Sequence, residues 1–260
     1  MRVSIIDYLN AIPLNMAFKD GLYNDGLELI YDFPSQCADN LAAGQADAGL
    51  ISSIEYQRIP SLKVVSGVCI ASRRKVRSVV IVTKRDFRDI RTIALDRFSR
   101  SSIALCRLLF HRKCGKLPKM ITMAPQLDKM LETADAALVI GDAALRQEGH
   151  KFQTIDLAEL WFEETGLPFV FAFWAVNDRA ARKGLPDIFR AARDYGLQQL
   201  PNQVEALARR FQMERFEIDT YFHDNIHYDL GQEEKESLHL FYTYSSEYGI
   251  IPKYRDICFI

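Results

Sequence analysis

The sequence lacks the features by which several large classes of protein are recognised. No segment approaches the roughly 20 apolar residues needed to span a bilayer, and the opening MRVSIIDYLN has no long apolar core or small-residue cleavage site. The 33 Lys and Arg residues nearly balance the 34 Asp and Glu residues, so the chain has no strong field to attract nucleic acid or an anionic membrane. We therefore expect a soluble, cytoplasmic protein that binds neither nucleic acid nor membrane.

Cysteine and histidine are few and scattered. The five cysteines include no C-x-x-C pair, which argues against a zinc knuckle and against a disulfide framework. His223 and His227 have the i, i+4 spacing that can hold a metal on a helix, but a glutamate after the first histidine and a third ligand are missing. We predict reduced thiols and no metal site; a metal hydrolase stays an alternative that bound zinc would reveal.

Apolar strands alternate with amphipathic helices along the chain. The order up to residue 52 is strand, helix, strand, helix, strand, which predicts an α/β fold with a mixed, largely parallel sheet. A second α/β unit begins at RTIALD, and the chain is mostly helical from residue 179 onward. The length and the lack of a flexible linker predict two lobes, residues 1–84 with 185–260 and residues 85–184, with a ligand cleft between them.

Polar residues stand where two of these strands end. Asp7, Tyr8 and Asn10 follow the first strand before Pro13 interrupts it, and Ser52 ends the third strand. In open α/β sheets this edge is the usual place for a ligand. Asn10 could equally brace its own turn, and the strand pattern leaves both interpretations open.

Three further polar groups belong to the second half of the fold. Ser78 stands among valines on one face of a strand, where a hydroxyl bonded to neighbouring backbone is the structural alternative. Ser99, Ser101 and Ser102 surround the start of a helix, where unpaired N–H groups and the helix dipole favour an anion. One of these serines could simply cap the helix. Another strand, residues 136–140, ends in Gly141 and Asp142.

Several fragments of the chain, taken in order, resemble the chorismate dehydratase family of the futalosine route to menaquinone. They are YLNAIPL, LAAGQADAGLI, VRSVVI, ALDRFSRSS, AALVIGDAAL and ETGLPFVFAFW, and IHYDLGQEE resembles the closing segment of the family. The resemblance implies a two-lobed, periplasmic-binding-protein-like (type II) fold that acts as a carbon–oxygen hydro-lyase. The expected reaction converts chorismate to 3-[(1-carboxyvinyl)oxy]benzoate and water.

The resemblance also implies roles for particular residues. Asn10 and Ser78 match the family's catalytic or ligand positions. The serine-rich helix start and the T-G-L-P segment, with Thr165 and Gly166, match positions around the cleft. Asp7 stands where the family usually has a small polar residue, and the sequence RRKVRSV lacks the glycine common before the family's V-x-S-V motif.

The expected chemistry needs little besides orientation and charge. Because the product is aromatic, the substrate supplies much of the driving force and we expect no cofactor. Asp7 is the nearest candidate for the base, although a carboxylate of the substrate could itself take the proton. We count Tyr8, Ser52, Gly141 and Asp142 among the residues that contact a small-molecule carboxylate substrate.

Two alternatives belong to other classes of function. A non-catalytic cytoplasmic binding protein for a small aromatic or carboxylic acid would have the same lobes, because fold does not determine function. The dihydroxynaphthoate synthase of the same route opens with a motif like S-P-C-P-N-D, which this chain lacks. The sequence does not indicate an oligomeric state.

Overall fold

A computed structural model describes residues 1–23, 26–146 and 151–260 of the chain. Its strands are β1 (Arg2–Ile6), β2 (Glu28–Asp32), β3 (Ala48–Ser52), β4 (Leu62–Ser72), β5 (Val79–Thr83), β6 (Thr92–Asp96), β7 (Lys119–Met123), β8 (Ala136–Ile140), β9 (Gln153–Asp156) and β10 (Phe169–Asn177). Its helices are α1 (Ile12–Lys19), α2 (Pro34–Ala42), α3 (Glu55–Arg58), α4 (Ser101–Cys114), α5 (Leu127–Thr133), α6 (Gly141–Leu145), α7 (Leu157–Thr165), α8 (Leu185–Phe211), α9 (Arg215–Thr220) and α10 (Gln232–Glu247).

The strands form two mixed sheets, as the alternation of elements predicts. The first has the order β2-β1-β3-β10-β4 and the second β7-β6-β8-β5-β9. In the first, β1 runs parallel to β2 and β3 while β10 runs antiparallel to β3 and β4. In the second, β6 runs parallel to β7 and β8 while β5 runs antiparallel to β8 and β9. Parallel and antiparallel pairings are thus equally common in the described residues.

The chain does not pass between the sheets at the lobe boundaries predicted from the sequence, after residue 84 and before residue 185. Strand β5, placed before the first boundary, belongs to the second sheet, and β10, placed in the other lobe, belongs to the first. The crossings therefore lie between Ser72 and Val79 and between Asp156 and Phe169. Both strands are apolar on both faces, and such a pattern predicts a buried strand without naming its partner.

Helix α1, which follows the polar turn after β1, is fixed by aromatic packing and by one close backbone approach. Phe18 of α1, Trp174 of β10 and Phe189 of α8 are buried against one another, with ring centroids 4.7–6.0 Å apart. A Cβ on Gly196 of α8 would stand 1.8 Å from the carbonyl oxygen of Pro13. Only glycine lets the two helices approach this closely, and the approach sets the position of the turn that contains Asn10.

Across the three described ranges, no helix combines the length and apolar character needed to cross a bilayer.

Candidate active site

A pocket lies between the two sheets, where β1, β3, β6 and β8 end and helix α4 begins. It encloses about 600 Å³, including the open space at its mouth. One wall comes from the first sheet and the other from the second. Its lining residues are Ile6, Tyr8, Asn10, Pro34, Ser52, Ile70, Val76, Ser78, Val79, Ser99, Arg100, Ser101, Ser102, Ile140, Gly141, Phe171 and Ala172.

Most of the residues singled out in the sequence meet in this pocket. Asn10 and Ser78 line it from opposite sheets, although they are far apart in the chain. The other predicted residues that line it are Tyr8, Ser52, Ser99, Ser101, Ser102 and Gly141. Asp7, Asp142, Thr165 and Gly166 do not line it.

Helix α4 opens onto the pocket with a terminus that its own side chains leave uncapped. The N-cap position is Arg100, and no side chain in the described part of the chain caps the first N–H groups of the helix. The Ser101 side chain instead contacts the opposite lobe. Its Oγ accepts a hydrogen bond from the Ile54 amide at 3.1 Å and lies 3.0 Å from the Ser53 Oγ. The helix therefore presents free N–H groups and the positive end of its dipole to the cavity.

Several polar side chains around the pocket have no protein partner. The Oγ of Ser99 is buried and makes no hydrogen bond to any residue that the structure describes. Within the described ranges, the side chains of Tyr8, Asn10, Ser52 and Ser102 also have no hydrogen-bond partner. Buried polar groups are normally paired, so this concentration of free donors and acceptors indicates a site for a polar ligand.

Ser78 is held by a strained turn. Its amide donates to the carbonyl of Val76 at 2.7 Å, a γ-turn centred on Arg77 with φ of 60°. Non-glycine residues seldom adopt this conformation. The turn is secured by Asp156, whose Oδ2 accepts from the Arg77 amide at 2.7 Å, and by the amide of Gly141, which donates to the Ser78 carbonyl at 2.7 Å. Strain of this kind is characteristic of functional sites.

Tyr8 reaches across to the second sheet and packs on Gly141. A Cβ at Gly141 would stand 2.9 Å and 3.0 Å from two carbons of the Tyr8 ring, and the residue has φ of 61°. Both the left-handed backbone and the close ring contact therefore require glycine here. Burial, with smaller effects of the Asp96 and Asp142 charges, raises the pKa of Tyr8, so its phenol stays protonated at neutral pH.

Asp7 does not contribute to the pocket, in contrast to the expectation that it is the base. Its side chain is 42% exposed and is paired with Lys19 at 2.6 Å and Arg210 at 2.5 Å. Burial raises the pKa of this carboxyl, but the hydrogen bonds and charges of the two cations outweigh that effect and lower it. The alternation of a strand turns Asp7 to the face opposite Ile6, which lines the cavity.

Asp142 also lies behind the pocket wall. Its Oδ1 accepts from the Leu9 amide at 3.1 Å, so the carboxylate joins the turn after β1 to the start of α6 in the other lobe. Burial raises its pKa, opposed by the hydrogen bond from Leu9 and by the charges of Arg146 and Arg210. The side chain therefore positions the turn that carries Tyr8 and does not face the ligand space.

The T-G-L-P segment ends helix α7 and does not reach the pocket. Gly166 is the left-handed C-cap, with φ of 71°. The Thr165 hydroxyl donates to the carbonyl of Trp161 at 2.8 Å and accepts from the amide of Leu167 at 3.1 Å. Thr165 and Gly166 therefore lie outside the pocket lining, and the polar atoms of Thr165 are used within the helix end.

The sequence interpretation missed two parts of the site. Arg100 carries the only formal charge among the lining residues that the structure describes, and its guanidinium lies a long 3.4 Å from both Asp39 carboxylate oxygens. The apolar wall was missed because ordinary residues of strands, and one residue of the turn before β5, form it: Ile6, Ile70, Val76, Val79, Ile140 and Phe171. Arg100 could have been found from the sequence, because it lies among the three serines at the start of α4.

The two histidines with helical spacing have separate partners. The Nδ1 of His223 lies 2.8 Å from the Asp219 carbonyl, and the Nε2 of His227 lies 2.9 Å from Glu234 Oε1. Across the described ranges, no group of three or more His, Cys, Asp or Glu side chains is arranged to hold a metal ion.

Solved structures similar to this chain share its fold. A protein of Archaeoglobus fulgidus matches with a TM-score of 0.76 at 16% identity, covering 96% of this chain and 98% of its own. The periplasmic aliphatic sulphonate binding protein of Escherichia coli matches with a TM-score of 0.68 at 17% identity, covering 99% of this chain and 90% of its own. The architecture is therefore the two-lobed fold of periplasmic binding proteins.

Sequence comparison gives the family. A chorismate dehydratase of Thermus thermophilus is 28% identical over 253 residues, which cover 90% of this chain and 91% of the relative. A chorismate dehydratase of Campylobacter jejuni is 26% identical over 245 residues, which cover 91% and 93%. The family model for menaquinone biosynthesis matches residues 1–247. The chain therefore belongs to the menaquinone biosynthesis family.

Proposed function

We propose that this protein is a chorismate dehydratase, a hydro-lyase that converts chorismate to 3-[(1-carboxyvinyl)oxy]benzoate and water in the cytoplasm. The observation that carries the proposal is the composition of the pocket. Uncharged hydrogen-bonding groups and the uncapped N-terminus of α4 line one part of it, and apolar side chains line the rest. Two relatives that span nine-tenths of the chain carry this name. The substrate is a cyclic dicarboxylate, and the pocket offers both surfaces that such a molecule needs.

The start of α4 would hold one carboxylate of the substrate. Its free N–H groups, the hydroxyls of Ser99 and Ser102 and the positive end of the helix dipole all favour an anion at this point. Arg100 adds a cation whose pairing with Asp39 is long. The ring would lie against the apolar wall, which includes Phe171 and Ile140.

Asn10 and Ser78 would hold the groups that change during the reaction. They line the cavity from opposite sheets, so a ring between them would be contacted on both sides. We assign to them the second carboxylate and the departing hydroxyl. Hydrogen bonds donated to an oxygen that gains negative charge stabilise the transition state more than the ground state, which is how neutral groups can accelerate this elimination.

The proton would be taken by a carboxylate of the substrate. No aspartate, glutamate, histidine or lysine lines the pocket in the described part of the chain, and Asp7 is paired on the outer surface. A substrate carboxylate held against the ring would be close enough to remove the proton without a protein base. Loss of the ring hydroxyl with that proton gives water and an aromatic ring, so the reaction needs no electron carrier.

The test is the conversion of chorismate by the purified protein, followed by ultraviolet absorbance and identified by mass spectrometry. We expect formation of the enol-ether benzoate and a loss of at least about 100-fold in kcat/KM for Ser78→Ala and for Asn10→Asp. Retention of full activity by either variant would remove that residue from the proposed machinery. No product from the wild-type protein would overturn the proposed reaction.

The second candidate is a non-catalytic binding protein for a small aromatic or carboxylic acid. The observation that favours it is the same lack of an ionisable proton acceptor among the described lining residues. Such a protein would bind chorismate or a substituted benzoate in calorimetry and leave both chemically unchanged. The product assay therefore separates the two candidates directly.

A further inference from the structure

Two buried tyrosines outside the pocket lining point their hydroxyls at the two residues proposed to act on the substrate. The hydroxyl of Tyr221 lies 2.8 Å from the Ser78 Oγ, and the hydroxyl of Tyr228 donates to the carbonyl oxygen of Asn10 at 2.9 Å. Both rings are almost completely buried, at 0% and 3% exposure. They belong to one short stretch of the chain, although Asn10 follows a strand of the first sheet and Ser78 precedes a strand of the second.

The stretch from Tyr221 to Tyr228 is itself firmly attached. Residues 221–225 form one turn of π-helix, a conformation often found at functional sites. His227 then exchanges both backbone hydrogen bonds with Ala71 of β4, at 2.8 and 3.0 Å, and the Tyr228 carbonyl accepts from the Cys69 amide at 3.0 Å. The two hydroxyls are therefore presented from a fixed backbone.

The contact with Tyr221 decides what the Ser78 hydroxyl can do. A serine hydroxyl has one hydrogen to donate, and the structure gives the Ser78 Oγ no other partner among the described residues. The Tyr221 hydroxyl has no other hydrogen-bond partner among those residues either. When the phenol donates to the serine oxygen, the serine hydrogen is directed to the ligand, and the bond is strengthened by its neighbour.

We propose that the segment from Tyr221 to Tyr228 is a positioning element, in which Tyr221 orients the Ser78 hydroxyl as a donor into the pocket and Tyr228 fixes the backbone of Asn10. The proposal rests on the proposed function, because it assigns these tyrosines to the same reaction. Neither tyrosine touches the substrate; each acts through the residue that does. The expected consequence falls on the transition state, where the departing hydroxyl requires a donor.

The test replaces single hydroxyls and keeps the rings. The variants are Tyr221→Phe, Tyr228→Phe, Ser78→Ala and the double variant Tyr221→Phe with Ser78→Ala. Tyr242→Phe is a matched control, because Tyr242 is equally buried and its hydroxyl donates to the Ser53 carbonyl at 2.6 Å. Each variant is measured for kcat, KM, the dissociation constant of chorismate and the midpoint of thermal unfolding.

We expect Tyr221→Phe to lower kcat about tenfold with little change in KM, and Tyr228→Phe to lower kcat/KM about threefold. Tyr242→Phe should lower the unfolding midpoint to a similar degree and leave kcat within about twofold. In the Ser78→Ala background the Tyr221→Phe change should have no further effect on residual kcat or on the dissociation constant, because the group through which it acts is gone.

Two results would overturn the proposal: a kcat for Tyr221→Phe no lower than that of Tyr242→Phe, or an undiminished effect of Tyr221→Phe in the Ser78→Ala background. Failure of the proposed function looks different. If the wild-type protein binds chorismate without converting it, the proposed reaction is wrong and the effect of Tyr221 on turnover falls with it. If the wild-type protein converts chorismate and Tyr221→Phe is no slower than Tyr242→Phe, only the positioning role is overturned. If the wild-type protein neither binds nor converts chorismate, both proposals fall.

Discussion

Ser99 and Ser101 stand two residues apart at the start of α4 and use their hydroxyls in opposite ways. The Ser99 Oγ is buried and has no partner among the described residues, whereas the Ser101 Oγ bonds to the Ile54 amide and the Ser53 hydroxyl in the other lobe. An unpaired buried hydroxyl lowers stability, while a paired one raises it. Within one turn, the Ser101 hydroxyl therefore makes a structural contact, whereas the Ser99 hydroxyl is left available for the proposed ligand.

Replacement of each serine by alanine tests this difference. We expect Ser99→Ala to weaken chorismate binding about tenfold and to leave the free energy of unfolding unchanged or slightly higher, because it removes an unsatisfied group. Ser101→Ala should lower that free energy by about 1 kcal/mol. Isothermal calorimetry and urea denaturation measure both quantities. Equal losses of stability in the two variants would contradict the assignment of Ser99 to the ligand.

A substitution of Asp7 tests the proposal that no side chain of the protein acts as the base. Because its carboxylate is paired with Lys19 and Arg210 on the surface, Asp7→Asn should leave kcat/KM within about twofold of the wild-type value. Its lowered pKa means that any stabilisation is present at neutral pH and is lost as the pH falls through that pKa, below 3.8. A large loss of turnover at pH 7 in steady-state assays would return Asp7 to the chemistry.

At the scale of elements, the turn between β8 and α6 depends on Gly141. Gly115, the C-cap of α4, is a matched control, since it also has positive φ but a Cβ there would meet nothing within 4 Å. Both Gly141→Ala and Gly115→Ala should cost about 1–2 kcal/mol of stability from the left-handed backbone. Only Gly141→Ala should displace the Tyr8 ring, and we expect a loss of about tenfold or more in kcat/KM.

The measurement for these glycines is steady-state kinetics together with thermal unfolding. A drop in kcat/KM for Gly115→Ala equal to that for Gly141→Ala would mean that the effect follows from stability alone. A normal kcat/KM for Gly141→Ala would mean that the Tyr8 ring has no part in the site.

Asp156 is the N-cap of helix α7, and its carboxylate also accepts a hydrogen bond from the Arg77 amide in the turn before Ser78. Burial raises the pKa of Asp156 to about 6, against the opposing effect of four backbone hydrogen bonds, from Arg77, Glu159, Val76 and Ala158. The folded-state pKa is thus above the value of 3.8 expected when unfolded. Between these two values the native state binds the additional proton, so the contribution of Asp156 to the free energy of unfolding falls as pH rises from 4 to 6.

Asp156→Asn removes this dependence. We expect the stability of the wild-type protein relative to the variant to decrease by about 2 kcal/mol between pH 4 and pH 7, with most of the change below pH 6. Thermal unfolding at half-unit pH intervals measures the difference. A difference that stays constant over this range would show that the pKa of Asp156 is the same in the folded and unfolded states.

The sequence predicted the strands and helices better than it predicted the contacts between residues that are distant in the chain. The β-branched runs and strand-end polar residues correctly indicate strands that end at a pocket, because these patterns are local. Thr165 and Gly166 lie outside the pocket lining, and the T-G pair at this helix end is satisfied by the helix itself. Tyr221 and Tyr228 could not have been identified, because their hydroxyl partners lie 143 and 218 residues away in the chain.

At the scale of the whole molecule, side chains from the two lobes meet beside the pocket. Phe33, between β2 and α2, stacks on Phe98, between β6 and α4, with ring centroids 4.7 Å apart and planes at 18°. The neighbouring Asp39 and Arg100 form a long ion pair across the same gap. Since Pro34 and Ser99 both line the pocket, the stacked rings lie next to its mouth. Ligand exchange should therefore require these contacts to open.

Phe98→Ala tests this requirement, with Phe87→Ala as its control. Phe87 stacks on Phe110, with ring centroids 4.4 Å apart and planes at 10°. Neither residue lines the pocket. A stacked aromatic pair contributes about 0.5–1.5 kcal/mol, so Phe98→Ala should speed chorismate dissociation from a Ser78→Ala protein by about two- to tenfold. Stopped-flow displacement measures this rate. Phe87→Ala should lower the unfolding midpoint without changing dissociation, and equal dissociation rates in both variants would show that the Phe33–Phe98 pair does not control exchange.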